Sequence, residues 1–116
     1  MNVHGISVVV KTTDRQAAVA QYSALIESAV LQEFEIGSSG LTVTVFPGLS
    51  ILSGTKTALS RAESLVATAF VESLEKTKAQ LVETGWTIAG SLGSPNSLLA
   101  RDASGSIIEF VERSDG

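Results

Sequence analysis

The 116-residue chain has no cysteine, which excludes a disulfide framework, a thiol nucleophile and a thiolate metal site. It has one histidine, His4, so no Ser-His-Asp arrangement can be argued from its pattern. Positive charge is scarce: eight Lys and Arg stand against twelve Asp and Glu, with a net charge of −4 and a pI near 4.8. That balance argues against nucleic acid or an anionic membrane as partner. No apolar run approaches the roughly 18 residues of a membrane helix, and no basic-then-apolar leader opens the chain. A cytoplasmic protein is the expectation. Aromatics are limited to Tyr22, Phe34, Phe46, Phe70, Trp86 and Phe110. What remains is 44% hydrophobic and 17% charged, the composition of a globular chain, and its length suits one domain with its own core.

Periodicity divides the chain into short elements. Residues 3–11 are β-branched and read as a strand. Asp14 is a good helix N-cap, and Ala18, Tyr22, Leu25, Ile26 and Ala29 then mark one face of a helix over residues 15–29. Strands are expected at 30–36, 41–46 and 49–52, separated by the turns Gly37-Ser38-Ser39-Gly40 and Pro47-Gly48. Residues 54–61 read as a polar linker. A strand at 63–72 follows, then a helix over 74–84 with Ser73 as N-cap and Gly85 as C-cap. Residues 86–89 are a strand and 90–96 a loop. Gly90 to Asn96 has no following lysine or helix, so a phosphate-loop reading is weak.

The last stretch is the most informative. Leu98 to Ala100 is a short apolar run, Asp102-Ala103-Ser104-Gly105 a turn, and Ile107 to Val111 a returning strand. Glu109 sits in the middle of that strand. Alternation puts it on the face of Ile107 and Val111, away from Ile108 and Phe110. A buried carboxylate there needs a partner, a proton or a metal.

The chain also repeats itself. An offset of 59 lays Ser73 on Asp14 and Ala79-Gln80-Leu81 on Ala20-Gln21-Tyr22, while an offset of 57 lays Gly105 on Gly48. The order of elements is β-α-β-β-β, twice, over modules 1–54 and 62–116. An Asp-x-x-Gly-x-x-Ile-Glu-Phe hairpin ending such a repeat resembles the vicinal-oxygen-chelate superfamily, which contains glyoxalase I, the bleomycin-resistance proteins and the extradiol dioxygenases. The resemblance implies an α+β fold of two βαβββ modules forming a curved mixed sheet around a cleft, with helices outside. The runner-up is a ferredoxin-like sandwich.

Metal-dependent members of that superfamily take ligands from the first and last strands of each module. The corresponding positions here are Ser7 or Ile6, Leu52 or Ser50, Val66 or Ala67, and Glu109. Only Glu109 carries a ligand-type side chain, and three or four His, Asp or Glu donors are needed. His4 reads as a residue at a strand start, with displaced ligand or general base as its functional alternative. No metal cofactor is expected; Glu109 and His4 are the weak metal candidates. Ser7, Leu52, Val66, Thr68, Phe70 and Glu109 are the expected floor of a cleft. For Glu109 a functional acid and a carboxylate held by local hydrogen bonds both stay open. Phe70 and Trp86 offer rings for a planar ligand, with core packing as the ordinary role.

Three function classes follow. One is a metal-independent, small-molecule-binding protein of the resistance or sequestration type. The second is a divalent-metal-dependent lyase, isomerase or dioxygenase, such as a lactoylglutathione-lyase-like enzyme. The third is an assembly or regulatory protein without a ligand. Missing ligands favour the first over the second. The resemblance also implies a homodimer, which would cover edge strands.

Overall fold

Eight strands and three helices follow one another in the computed structural model, which describes residues 3–91 and 96–113. The expected loop 90–96 therefore lies partly outside the described residues. The chain divides into two compact units: Ser7–Glu63, and Ser64–Gly116 together with Met1–Ile6.

The first unit takes β1 (Val3–Thr12) from Ser7 onward, which leads to α1 (Arg15–Ile26), then β2 (Gln32–Ile36), β3 (Leu41–Phe46), β4 (Leu49–Ser53) and the short α2 (Lys56–Ser60). The strand order is β2-β3-β4-β1. β1 runs parallel to β4, with Val9 opposite Ser50, and the other pairs are antiparallel. Asp14 caps α1 as expected, its Oδ1 accepting from the Ala17 N–H at 3.1 Å. One face of the sheet packs on α1 through Ala18, Phe46 and Ile51, with Val19, Tyr22, Ile26 and Leu49 around them. By alternation Ser50 and Leu52 point to the other face.

Two expectations for this unit fail. The helix stops at Ile26, because Glu27 adopts a left-handed backbone (φ 57°) whose N–H returns to the Ser23 carbonyl. Ala29 is thus outside the helix, and Leu25 stands 76% exposed, off the buried stripe. The supposed linker also contains a helix. Thr55 caps α2 by accepting from the Ala58 N–H at 3.1 Å, and Ala58 is buried. Alanine and threonine carried no hydrophobic period to betray a single turn, but the cap was readable.

The second unit repeats the plan: β5 (Leu65–Val71), α3 (Leu74–Glu83), β6 (Thr87–Gly90), β7 (Ser97–Arg101) and β8 (Ile107–Glu112). Its order is β5-β8-β7-β6, with β5 and β8 parallel. Ser73 caps α3, and the Glu112 carboxylate accepts from the Leu74 N–H at 3.0 Å, placing negative charge at the helix N-terminus. The α3 side of the sheet is a core of Ala69, Val71, Leu81, Leu98, Ala100 and Phe110. Trp86 belongs to it, meeting Phe110 edge to face at 6.0 Å. The α+β class and the doubled β-α-β-β-β order are as expected, and a single β-α-β-β-α-β pass is not what forms.

Candidate functional site

The tight turn at Asp102 sets the register of the second unit's polar cluster. Asp102 Oδ1 accepts from the backbone N–H groups of Ser104 and Ser106 and from the Ser104 hydroxyl, at 2.7–3.0 Å. Those bonds, the Ser104 hydroxyl first, hold the Asp102 carboxyl below the usual carboxylate range. Gly105 closes the turn at φ +91°. The turn places Arg101 opposite Ile107, Leu99 opposite Glu109 and Ser97 opposite Val111. On the other side of β8, Thr68 lies opposite Glu109 and Phe70 opposite Val111.

Glu109 is therefore flanked from both neighbouring strands. The Thr68 hydroxyl donates to its Oε1 at 3.3 Å, and Ser97 also hydrogen-bonds its side chain. Thr68 and Ser97 are buried, Leu99 is 8% exposed, and Glu109 itself is half-buried. Burial pushes the Glu109 carboxyl up from its ordinary value, and the two hydroxyls pull it only partly back. Such a group can give a proton or hydrogen bond when neutral and accept one when ionised. Phe70 lies along the same face, and the Arg113 guanidinium stands 5.8 Å from its ring centre.

The other expected positions fall as follows. In the first unit, Ser7 and Ser50 meet through their hydroxyls at 2.9 Å, both about 95% buried. Leu52, on the same face as Ser50, is also buried. The offset between Val9–Ser50 and Thr68–Glu109 is 59 on both strands, so Ser50, not Leu52, is the counterpart of Glu109. Val66 sits where the β5 register shifts between Leu65 and Ala67 and is 44% exposed, so simple alternation does not carry across it. His4 lies in β1, but its side chain is outside the described residues.

Sequence reasoning missed Ser97, Leu99 and Arg113. Counting back from the Asp102–Gly105 turn would have paired Leu99 with Glu109, but the strand was started at Leu98, one residue short of Ser97.

The donors do not fit the superfamily's metal. The matching positions carry the hydroxyls of Ser7 and Ser50, the apolar side chain of Val66 or Ala67, and the one carboxylate of Glu109, and hydroxyls are poor ligands for zinc or nickel. Among the described residues no group of three or more His, Cys, Asp or Glu side chains is gathered.

No family model and no curated protein matches the chain. Solved structures do. An uncharacterized protein from Methanosarcina mazei is 30% identical with a TM-score of 0.86, over 100% of this chain and 97% of that one. Methylmalonyl-CoA epimerase from Mycobacterium tuberculosis is 18% identical with a TM-score of 0.67, over 97% of this chain and 89% of that one. A Streptomyces coelicolor methylmalonyl-CoA epimerase in complex with 2-nitronate-propionyl-CoA is 15% identical with a TM-score of 0.67, over 98% and 97%. At these identities the epimerases share the fold alone. Theirs is the glyoxalase-like fold, and that expectation is borne out.

Proposed function

We propose that this chain, which belongs to one family with the Methanosarcina mazei protein, is a metal-independent binder of small molecules. One observation carries the reading: Glu109 is a half-buried carboxyl, solitary among the described residues, held by Thr68 and Ser97 and bordered on its own face by Leu99, Ile107, Val111 and Phe70. A mostly apolar surface with one oriented polar group is the usual form of a small-molecule site. Glu109 reads a hydroxyl, amide or carbonyl on an otherwise apolar ligand, and its protonation state follows what the ligand offers. The fold alone does not fix this activity, because the same scaffold carries many sites.

The test pairs elemental analysis with a thermal-shift screen. Purified protein is dialysed and exposed in turn to zinc, nickel, manganese and iron. It is then screened with planar apolar compounds and with acyl-CoA thioesters, the ligand class of the epimerase complexes. A compound that raises the melting temperature of the wild type and fails with Glu109→Gln supports the reading. A stoichiometric metal lost in Glu109→Gln overturns it in favour of a metal enzyme. A screen in which no compound shifts the transition favours the assembly reading.

A further inference from the structure

Resting on the small-molecule reading, we infer that the ligand is an anion: its polar head meets Glu109 and its carboxylate or phosphate meets Arg113 across the Phe70 ring. β8 carries Ile107, Glu109 and Val111 on one face, and the chain continues from Glu112 directly into Arg113. The Arg113 N–H donates to the Val71 carbonyl at 2.8 Å, which ties this residue to the end of β5. Its guanidinium lies over Phe70, whose strand partner is Val111 on the Glu109 face. A strand advances about 3.3 Å per residue, so Glu109 and Arg113 bracket an apolar span of roughly 13 Å or less.

The neighbouring carboxylate does not neutralise this cation. Glu112 is engaged with the Leu74 N–H at the start of α3, on the opposite face of the sheet. Among the described residues Arg113 has no carboxylate within 4 Å. A guanidinium stacked on a ring keeps its outward N–H groups for a planar anion, which it binds through two hydrogen bonds. Arg101 lies at the other end of the same face, opposite Ile107, and among the described residues no ring holds it. It serves as the control.

The experiment compares 4-(4-hydroxyphenyl)butanoate with its primary amide, by calorimetry or by NMR titration at low and moderate salt. The two probes have the same phenol and the same ring and differ in charge. The wild type is expected to bind the acid about three- to tenfold more tightly than the amide, less so as salt rises. Arg113→Gln should abolish the preference by bringing the acid down to the amide's affinity, and Arg101→Gln should keep the preference. Equal affinity for acid and amide in the wild type overturns the inference, as does a preference that survives in Arg113→Gln. So does an equal loss of both probes in Arg113→Gln, which would make Arg113 a packing residue. Probes that fail while other compounds in the screen bind overturn this inference alone. A protein that binds nothing overturns the small-molecule reading with it.

Discussion

Replacing Thr68 by valine deletes one hydroxyl and keeps the shape of the side chain, which makes it the cleanest probe of Glu109. The hydroxyl donates to Oε1 at 3.3 Å from a residue that is 8% exposed. To an ionised acceptor such a bond is worth about 1.5–3 kcal/mol, and its length puts it at the lower end; to a neutral acceptor it is worth about 0.5–1 kcal/mol. The added methyl returns up to about 0.8 kcal/mol of burial. Thr68→Val should therefore destabilise the protein by about 1 kcal/mol at pH 8 and leave it nearly unchanged at pH 4. The sign follows from linkage. Burial holds the folded Glu109 carboxyl above its ordinary value of 4.5, so its contribution to stability is full below that value and is lost as pH rises through the folded one. Removing a hydroxyl that lowers the folded value moves it further up and widens the window. Urea unfolding of wild type and Thr68→Val from pH 4 to 8, with Glu109→Gln as the non-titrating reference, reads the difference. NMR titration of the Glu109 carboxyl gives the direction independently. A Thr68→Val carboxyl that titrates below the wild type, or a stability gap that does not grow with pH, refutes the reasoning.

Other perturbations reach the scaffold. Phe110→Ala removes a ring that is 3% exposed and edge-on to Trp86; it should cost about 3–5 kcal/mol in urea, and a loss under about 1.5 kcal/mol would deny it a central place in the core. Gly54→Ala puts a Cβ 2.8 Å from the Gly40 carbonyl oxygen and 3.1 Å from Leu41 Cδ2. Gly40 ends the turn between β2 and β3 and Leu41 opens β3, so a destabilisation of about 1–3 kcal/mol should show in a thermal melt, and an unchanged melt would mean the turn yields freely. A homodimer should scatter light as twice the 12.0 kDa chain at about 50 μM; a monomer at that concentration excludes an interface of micromolar affinity.

The parts of this fold that show in the sequence are those governed by local chemistry. Asp14 and Ser73 announce their helices because an N-cap acts within three residues. The Asp102–Gly105 turn and the alternation of Ile107 to Val111 fix which side of β8 carries Glu109. What escaped depends on partners far along the chain. The end of α1 is a backbone choice at Glu27 that no hydrophobic period records, and Leu25 keeps the spacing of a buried face while lying exposed. The choice between Ser50 and Leu52 needed the register of a parallel pair, which no turn specifies. Alternation put Thr68 on the expected cleft floor with Glu109 but not beside it, which needed the parallel register, whereas Ser97 needed the antiparallel register counted back through the turn. Val66 fell where the strand itself breaks step.

The common offset of the two parallel pairs makes the chain a graftable scaffold. Val9, Ser50 and Val43 hold in the first unit the lattice points that Thr68, Glu109 and Ser97 hold in the second, as their strand partners show. Writing Val9→Thr, Val43→Ser and Ser50→Glu into the first unit would therefore place the residues of the carboxyl cradle at matching strand positions, with Ser7 and its buried surroundings left to make room for the larger acid. A duplicated architecture of this kind lets one copy keep a chemical group while the other is free to lose it. Here the hydroxyl pair of Ser7 and Ser50 occupies the site where the second copy keeps its acid.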